Sequence, residues 1–156
     1  FNPTIALTSI PVVLASGPPI IGAAPPPATL LGKRLVIDGT MLVGGQTVTI
    51  QIQAAPVGGG AYALNLSQLA PQAPVYVTFS FGGTVPTLVD NTITFSGPTV
   101  GGIFSNFGSF STISSATLTL TVLDTKVGGA VTGNATFTSS AGSASGTITG
   151  TLTSIQ

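Results

Sequence analysis

Eight side chains in this 156-residue chain carry acid, base or phenol groups: Asp38, Asp90, Asp124, Lys33, Arg34, Lys126, Tyr62 and Tyr76. Histidine, cysteine and glutamate do not occur. General acid–base catalysis needs a group that titrates near the working pH, and those three residue types are its usual carriers. Asp38 in VIDGT and Asp90 in LVDNT each precede Gly or Asn, and Asp124 in LDTKVGG stands two residues before Lys126. These are the settings of turn residues, whose carboxylates bond nearby backbone N–H groups. A glycosidase-like pair would need two of the three to converge with one kept protonated, and no spacing here brings two together. Calcium would need carboxylates gathered in one loop. The expectation is a protein that is not an enzyme and has no metal or cofactor. Glycine pairs such as VGGG and TVGG lack the Lys-Ser/Thr and the following helix of a phosphate loop, and they read as hairpin turns.

Binding chemistry has more to work with. Tyr76 falls on the polar side of its alternating run, and GGIFSNFGSFS spaces Phe104, Phe107 and Phe110 three apart in what reads as a Gly/Ser-rich loop. These four are the candidate contact or ligand aromatics, with the possible partners being glycans or cell surfaces. Asn65-Leu66-Ser67 and Asn134-Ala135-Thr136 are glycosylation sequons, which in a secreted chain would add the solubility that charges do not. Threonine rows at 117–121 and 147–153 have the chemistry of ice-binding ladders, but solvent-facing Thr is ordinary strand composition.

Charged residues are only 4% of the chain, against roughly 25% in soluble domains. The net charge is zero, so the basic footprint of a nucleic-acid binder is missing. A surface this uncharged has little protection against association. Without cysteine, no disulfide or thiolate site can be argued, and stability must come from packing or subunit contacts.

The elements that would position these groups are strands. In TVTIQIQ, Val48, Ile50 and Ile52 share one face; in VYVTFSF, Val75, Val77, Phe79 and Phe81 do. Ala116, Leu118, Leu120 and Val122 oppose Thr117, Thr119 and Thr121, and Ile93, Phe95, Ala135, Phe137, Ile148 and Leu152 continue the pattern. Breakers fall between the runs, among them Gly44-Gly45, Pro56 to Gly60, Gly97-Pro98 and Gly128-Gly129. ALNLSQLA reads as a short turn of helix. Eight or nine short antiparallel strands predict an all-β domain over 29–156, an antiparallel β-sandwich or jelly roll of Ig-like or pilin-like type.

Residues 1–28 are different. TIALTSIPVVL reads as a strand with a bulge near Thr8-Ser9, presenting Ile5, Leu7, Ile10, Val12 and Leu14. The Pro-rich segment 15–28 follows as an extended spacer of roughly 40 Å. Prolines 11, 18, 19 and 25–27 exclude a spanning helix, so no membrane span is expected. The lack of a basic n-region suggests a mature chain whose leader has been removed. A strand arm, a spacer and a sandwich resemble the layout of donor-strand-assembled extracellular filament subunits, the chaperone–usher pilins and related β-sandwich fibre proteins. The resemblance is one of architecture, without a shared motif, and the missing cysteines depart from many chaperone–usher pilins. It implies a secreted structural subunit that polymerises head to tail with itself through the five arm residues, in adhesion or biofilm contact. The alternatives are a glycan-binding surface module and a viral coat-type jelly roll.

Overall fold

The computed structural model describes residues 26–69, 75–106 and 108–156. After a 3-10 turn at Pro26–Leu30 come ten strands. They are β1 (Leu35–Val43), β2 (Gln46–Gly58), β3 (Ala61–Gln68), β4 (Tyr76–Thr84), β5 (Thr87–Val89), β6 (Thr92–Pro98), β7 (Gly101–Asn106), β8 (Ser109–Val122), β9 (Ala130–Ser139) and β10 (Gly142–Ile155). Every pairing is antiparallel, and seven of the ten join strands that are neighbours in sequence. β6 and β7 both pair with β8, Thr92 opposite Thr121 and Asn106 opposite Ser109, so they act as one long arm of a hairpin offset at Thr99–Val100. β4 pairs with β7 across the intervening β5 and β6, Tyr76 opposite Ser105, and β1 pairs with β10, joining Leu35 to Ile155 and closing an eight-strand barrel.

The all-β antiparallel expectation is therefore met, but as a barrel and not as a two-sheet sandwich or jelly roll. The reason lies in the connections. A sandwich needs strands that cross from one sheet to another, whereas here the chain moves around one ring, with β5 as a short excursion between β4 and β6, leaving β1 and β10 as edges that satisfy one another. The β1–β2 reversal is a two-residue turn with Gly44 and Gly45 at φ 58° and 76°, the mirror-image turn that matches strand twist.

Alternation places apolar side chains inside. Met41, Ile50, Ile52, Leu64, Leu66, Phe79, Phe81, Leu118, Phe137, Ile148 and Leu152 are buried on inward positions. Aromatic contacts cross the lumen: Phe79 of β4 lies 6.1 Å from Phe137 of β9, and Tyr62 of β3 meets Phe95 of β6 edge-on at 5.8 Å. Outside the turn end, Thr, Ser, Gln and Asn of the strands face outward, the reverse of the order along lipid-facing barrel strands. Among the described residues no helix is long and apolar enough to cross a membrane.

One seam of the wall is glycine. A Cβ at Gly133 would lie 2.0 Å from the Thr119 carbonyl oxygen, and one at Gly39 2.2 Å from that of Thr149. Gly39 is also the register partner of Gly150. These inward positions let backbones approach closely where a small barrel must bend.

The two barrel ends differ. At the terminal end Arg34 and Gln156 exchange backbone hydrogen bonds of 2.8 and 2.9 Å. There Pro27 and Leu30 are buried over the lumen. The Tyr62 hydroxyl donates to the Leu30 carbonyl at 3.2 Å and accepts from the Gly32 N–H at 2.7 Å. The turn end carries the β1–β2, β7–β8 and β9–β10 reversals.

Three local expectations change. ALNLSQLA is not helical: it supplies β3, with Leu64, Leu66 and Gln68 buried and Leu69 exposed. Pro56 does not end β2, because β1 pairs only as far as Ala54 and the proline's missing N–H falls beyond that ladder. Asp38 is not in a turn; it lies within β1 facing outward, where its Oδ1 accepts from Gln51 Nε2 at 2.8 Å.

Candidate functional site

The titratable residues stay apart. Asp90 occupies the β5–β6 turn at φ 54°, and Asp124 forms an exposed 3.6 Å ion pair with Lys126 beyond β8. No group of three or more His, Cys, Asp or Glu side chains capable of holding a metal occurs among the described residues.

The outer wall of β6, β8, β9, β10 and β1 is a hydroxyl lattice. Thr92, Thr121, Thr132, Thr149 and Thr40 form one row in register across five strands. Neighbouring hydroxyls bond one another, as Ser96 Oγ and Thr117 Oγ1 do at 2.9 Å. Asn134 sits on this wall, exposed, between Thr119 and Thr147. Asn65 is exposed on β3, where its Oδ1 accepts from the Ser80 hydroxyl.

Two of the expected aromatics come together at the turn end. Tyr76 pairs with Ser105, which in turn pairs with Phe110, giving a Tyr–Ser–Phe row across β4, β7 and β8 on the outer surface. Phe110 is 74% exposed, Tyr76 half-buried, and Ser105 buried between them in register. Ile103, 42% exposed, borders the same row. Phe104 does not join it. The stretch expected to be a loop is a hairpin, so Phe104 points inward, with its ring 5.0 Å from that of Phe137. Phe107 lies outside the described residues, as do the arm residues Ile5, Leu7, Ile10, Val12 and Leu14.

Sequence reasoning missed the inner side of this hairpin. Beyond Ile113 and Ser139, β8 and β9 no longer pair, and a cleft of about 200 Å³ opens between the β7–β8 and β9–β10 tips. Phe104, Asn106, Ser109, Ser111, Ser139 and Ala144 line it, and no charged side chain does. Asn106 Oδ1 is buried without a hydrogen-bond partner among the described residues. Gln68, the other amide buried at this end, is used on both atoms: Nε2 donates to the Val75 carbonyl at 3.2 Å, and Oε1 accepts from the Val77 N–H at 3.0 Å. The contrast singles out Asn106, because a buried acceptor left unpaired costs about 1–3 kcal/mol. No signal in the sequence separates it from an ordinary loop asparagine.

Comparison of the chain with protein-family models, curated proteins and solved structures finds no match.

Proposed function

We propose that this chain is a non-catalytic structural subunit of an extracellular filament that joins its neighbour head to tail through residues 4–14. The observation that carries the reading is the pattern of strand edges. Each barrel strand is paired on both sides along most of its length, so a neighbour's strand has no gap in the ring to fill. β5 is different: it pairs only with β6. Val89 at its end is 67% exposed, and Val85, two residues before the strand, is 63% exposed. A short, apolar, unpaired edge is where a strand from another chain adds most readily. β5 lies at the terminal end of the barrel, the end from which Pro26–Leu30 leads back into the arm.

Donor-strand addition in this form augments an outer edge and does not complete a core. Five apolar arm side chains would bury on the order of ten kcal/mol before ordering costs. Deleting residues 1–16 should give monomers in negative-stain microscopy where the full chain gives fibres. Val89→Lys should block fibres while leaving the barrel folded. Fibres that persist in the truncated chain overturn the reading.

The Tyr76–Ser105–Phe110 row favours a second reading, a surface module that binds glycans on an aromatic platform. Loss of glycan-array binding on Tyr76→Ala tests it. The coat-type alternative loses its support, since it rested on a jelly roll.

A further inference from the structure

We infer that the cleft between the β7–β8 and β9–β10 hairpin tips is a binding site for one uncharged, hydroxyl-bearing ring, a single pyranose residue. Three features of the cleft converge on that chemistry. Asn106 lines the cleft and its Oδ1 is a covered acceptor with no partner among the described residues; a rotation of the amide away from Gly44 presents it to a sugar hydroxyl. Ser109 adds a hydroxyl that donates or accepts, while Ser111 and Ser139, whose protons are used within the walls, add acceptor lone pairs, matching the hydroxyl donors of a polyol edge. Phe104 offers a half-buried apolar face, held in place by Phe137 at 5.0 Å, against which the C–H side of a pyranose packs. With no charged lining residue, nothing would repay the desolvation of a phosphate, carboxylate or ammonium group, so the ligand is neutral. A volume of about 200 Å³ suits one ring and not an extended oligomer.

The walls are held before any ligand arrives. The Ser111 hydroxyl donates to the Phe104 carbonyl at 3.2 Å, which ties β8 to β7. The Ser139 hydroxyl donates to the Gly142 carbonyl at 3.0 Å and accepts from the Ala141 N–H at 3.2 Å, fixing the β9–β10 turn. Asn106 is set against the β1–β2 turn behind the cleft: a Cβ at Gly44 would lie 3.4 Å from its amide. With these walls fixed, only the Asn106 amide has to move, so little freedom is lost on binding.

The inference shares its partner class with the glycan reading above but not its residues, and it is independent of polymerisation. The test is a titration of the full chain with the methyl glycosides of glucose, galactose, mannose and N-acetylglucosamine, followed by amide chemical shifts. We expect shifts at 104–106, 109–111 and 139–144 for at least one glycoside, with an affinity on the order of millimolar. Asn106→Leu should weaken that binding about tenfold without lowering the melting temperature, the size of one lost hydrogen bond. Ser111→Val should weaken it several-fold, and it serves as the second variant if Asn106→Leu proves unstable. Tyr76→Ala should leave it unchanged. No shifts with any glycoside, or cleft shifts produced only by a peptide of residues 4–14, overturn the inference. Glycan binding lost on Tyr76→Ala but kept in Asn106→Leu also overturns it, while leaving the glycan reading intact.

Discussion

The two ends of the barrel solve the same problem with opposite materials. At the terminal end the chain folds Pro27 and Leu30 over the lumen and spends both hydrogen-bonding functions of Tyr62 on holding them there. At the turn end the lumen rises past Phe137 and Phe104 into serines and an amide whose oxygen is unpaired. A closed barrel needs a stopper at each end only if nothing else is meant to enter. The difference teaches that the lumen is closed by apolar packing and satisfied hydrogen bonds at the terminal end, and by polar side chains with one acceptor unpaired at the turn end.

Four substitutions break or sharpen that contrast. Gly133→Ala belongs to neither end and should cost the most, more than about 4 kcal/mol, because its Cβ would meet a backbone oxygen at 2.0 Å. Its expected outcome is the loss of cooperative unfolding by circular dichroism, since both ends hang on one wall. Leu30→Ala removes the stopper and should cost about 3 kcal/mol, read in urea unfolding, with cleft amide shifts unmoved. Tyr62→Phe keeps the ring against Phe95 but strands the Gly32 N–H, while the Leu30 carbonyl keeps its bond from the Lys33 N–H. A loss of about 1–2 kcal/mol is expected, with faster hydrogen exchange confined to residues 30–34. Asn106→Leu should change stability by less than about 0.5 kcal/mol, or raise it slightly, because an unsatisfied acceptor is replaced by an apolar group. A large destabilisation there would mean that the turn end is also built for stability.

Much of the wall was legible in the sequence. Runs such as 47–53, 75–81 and 116–122 alternate Thr or Gln with Val, Ile, Leu or Phe, and period-two alternation is what a half-buried strand demands. β1 was obscured by Asp38-Gly39, a pair with turn chemistry, and only Gln51 on the facing strand explains how the aspartate stays in register. β3 was obscured because Ala, Leu and Gln are helix formers and its second face carries Asn65 and Ser67. Closure was illegible in principle, since no local pattern reports that β1 and β10 will be partners. The cleft was hidden for a related reason. Phenylalanines three apart suggest a shared face, but a hairpin reversal between them sends Phe104 inward and Phe110 outward.

The pairing of Leu35 with Ile155 has a kinetic consequence. Every other contact in the wall spans far less chain, with only β4–β7 formed across an inserted strand pair, so most of the wall can assemble quickly from local hairpins. The β1–β10 seam is the one step that must gather nearly the whole barrel sequence before it is rewarded. Until it shuts, two complementary edges are exposed on every folding chain, and at high concentration each can find its match on another copy instead. The rate at which this seam closes, compared with the rate of encounter, then sets how much of the protein emerges as a self-contained barrel and how much as a strand-exchanged oligomer.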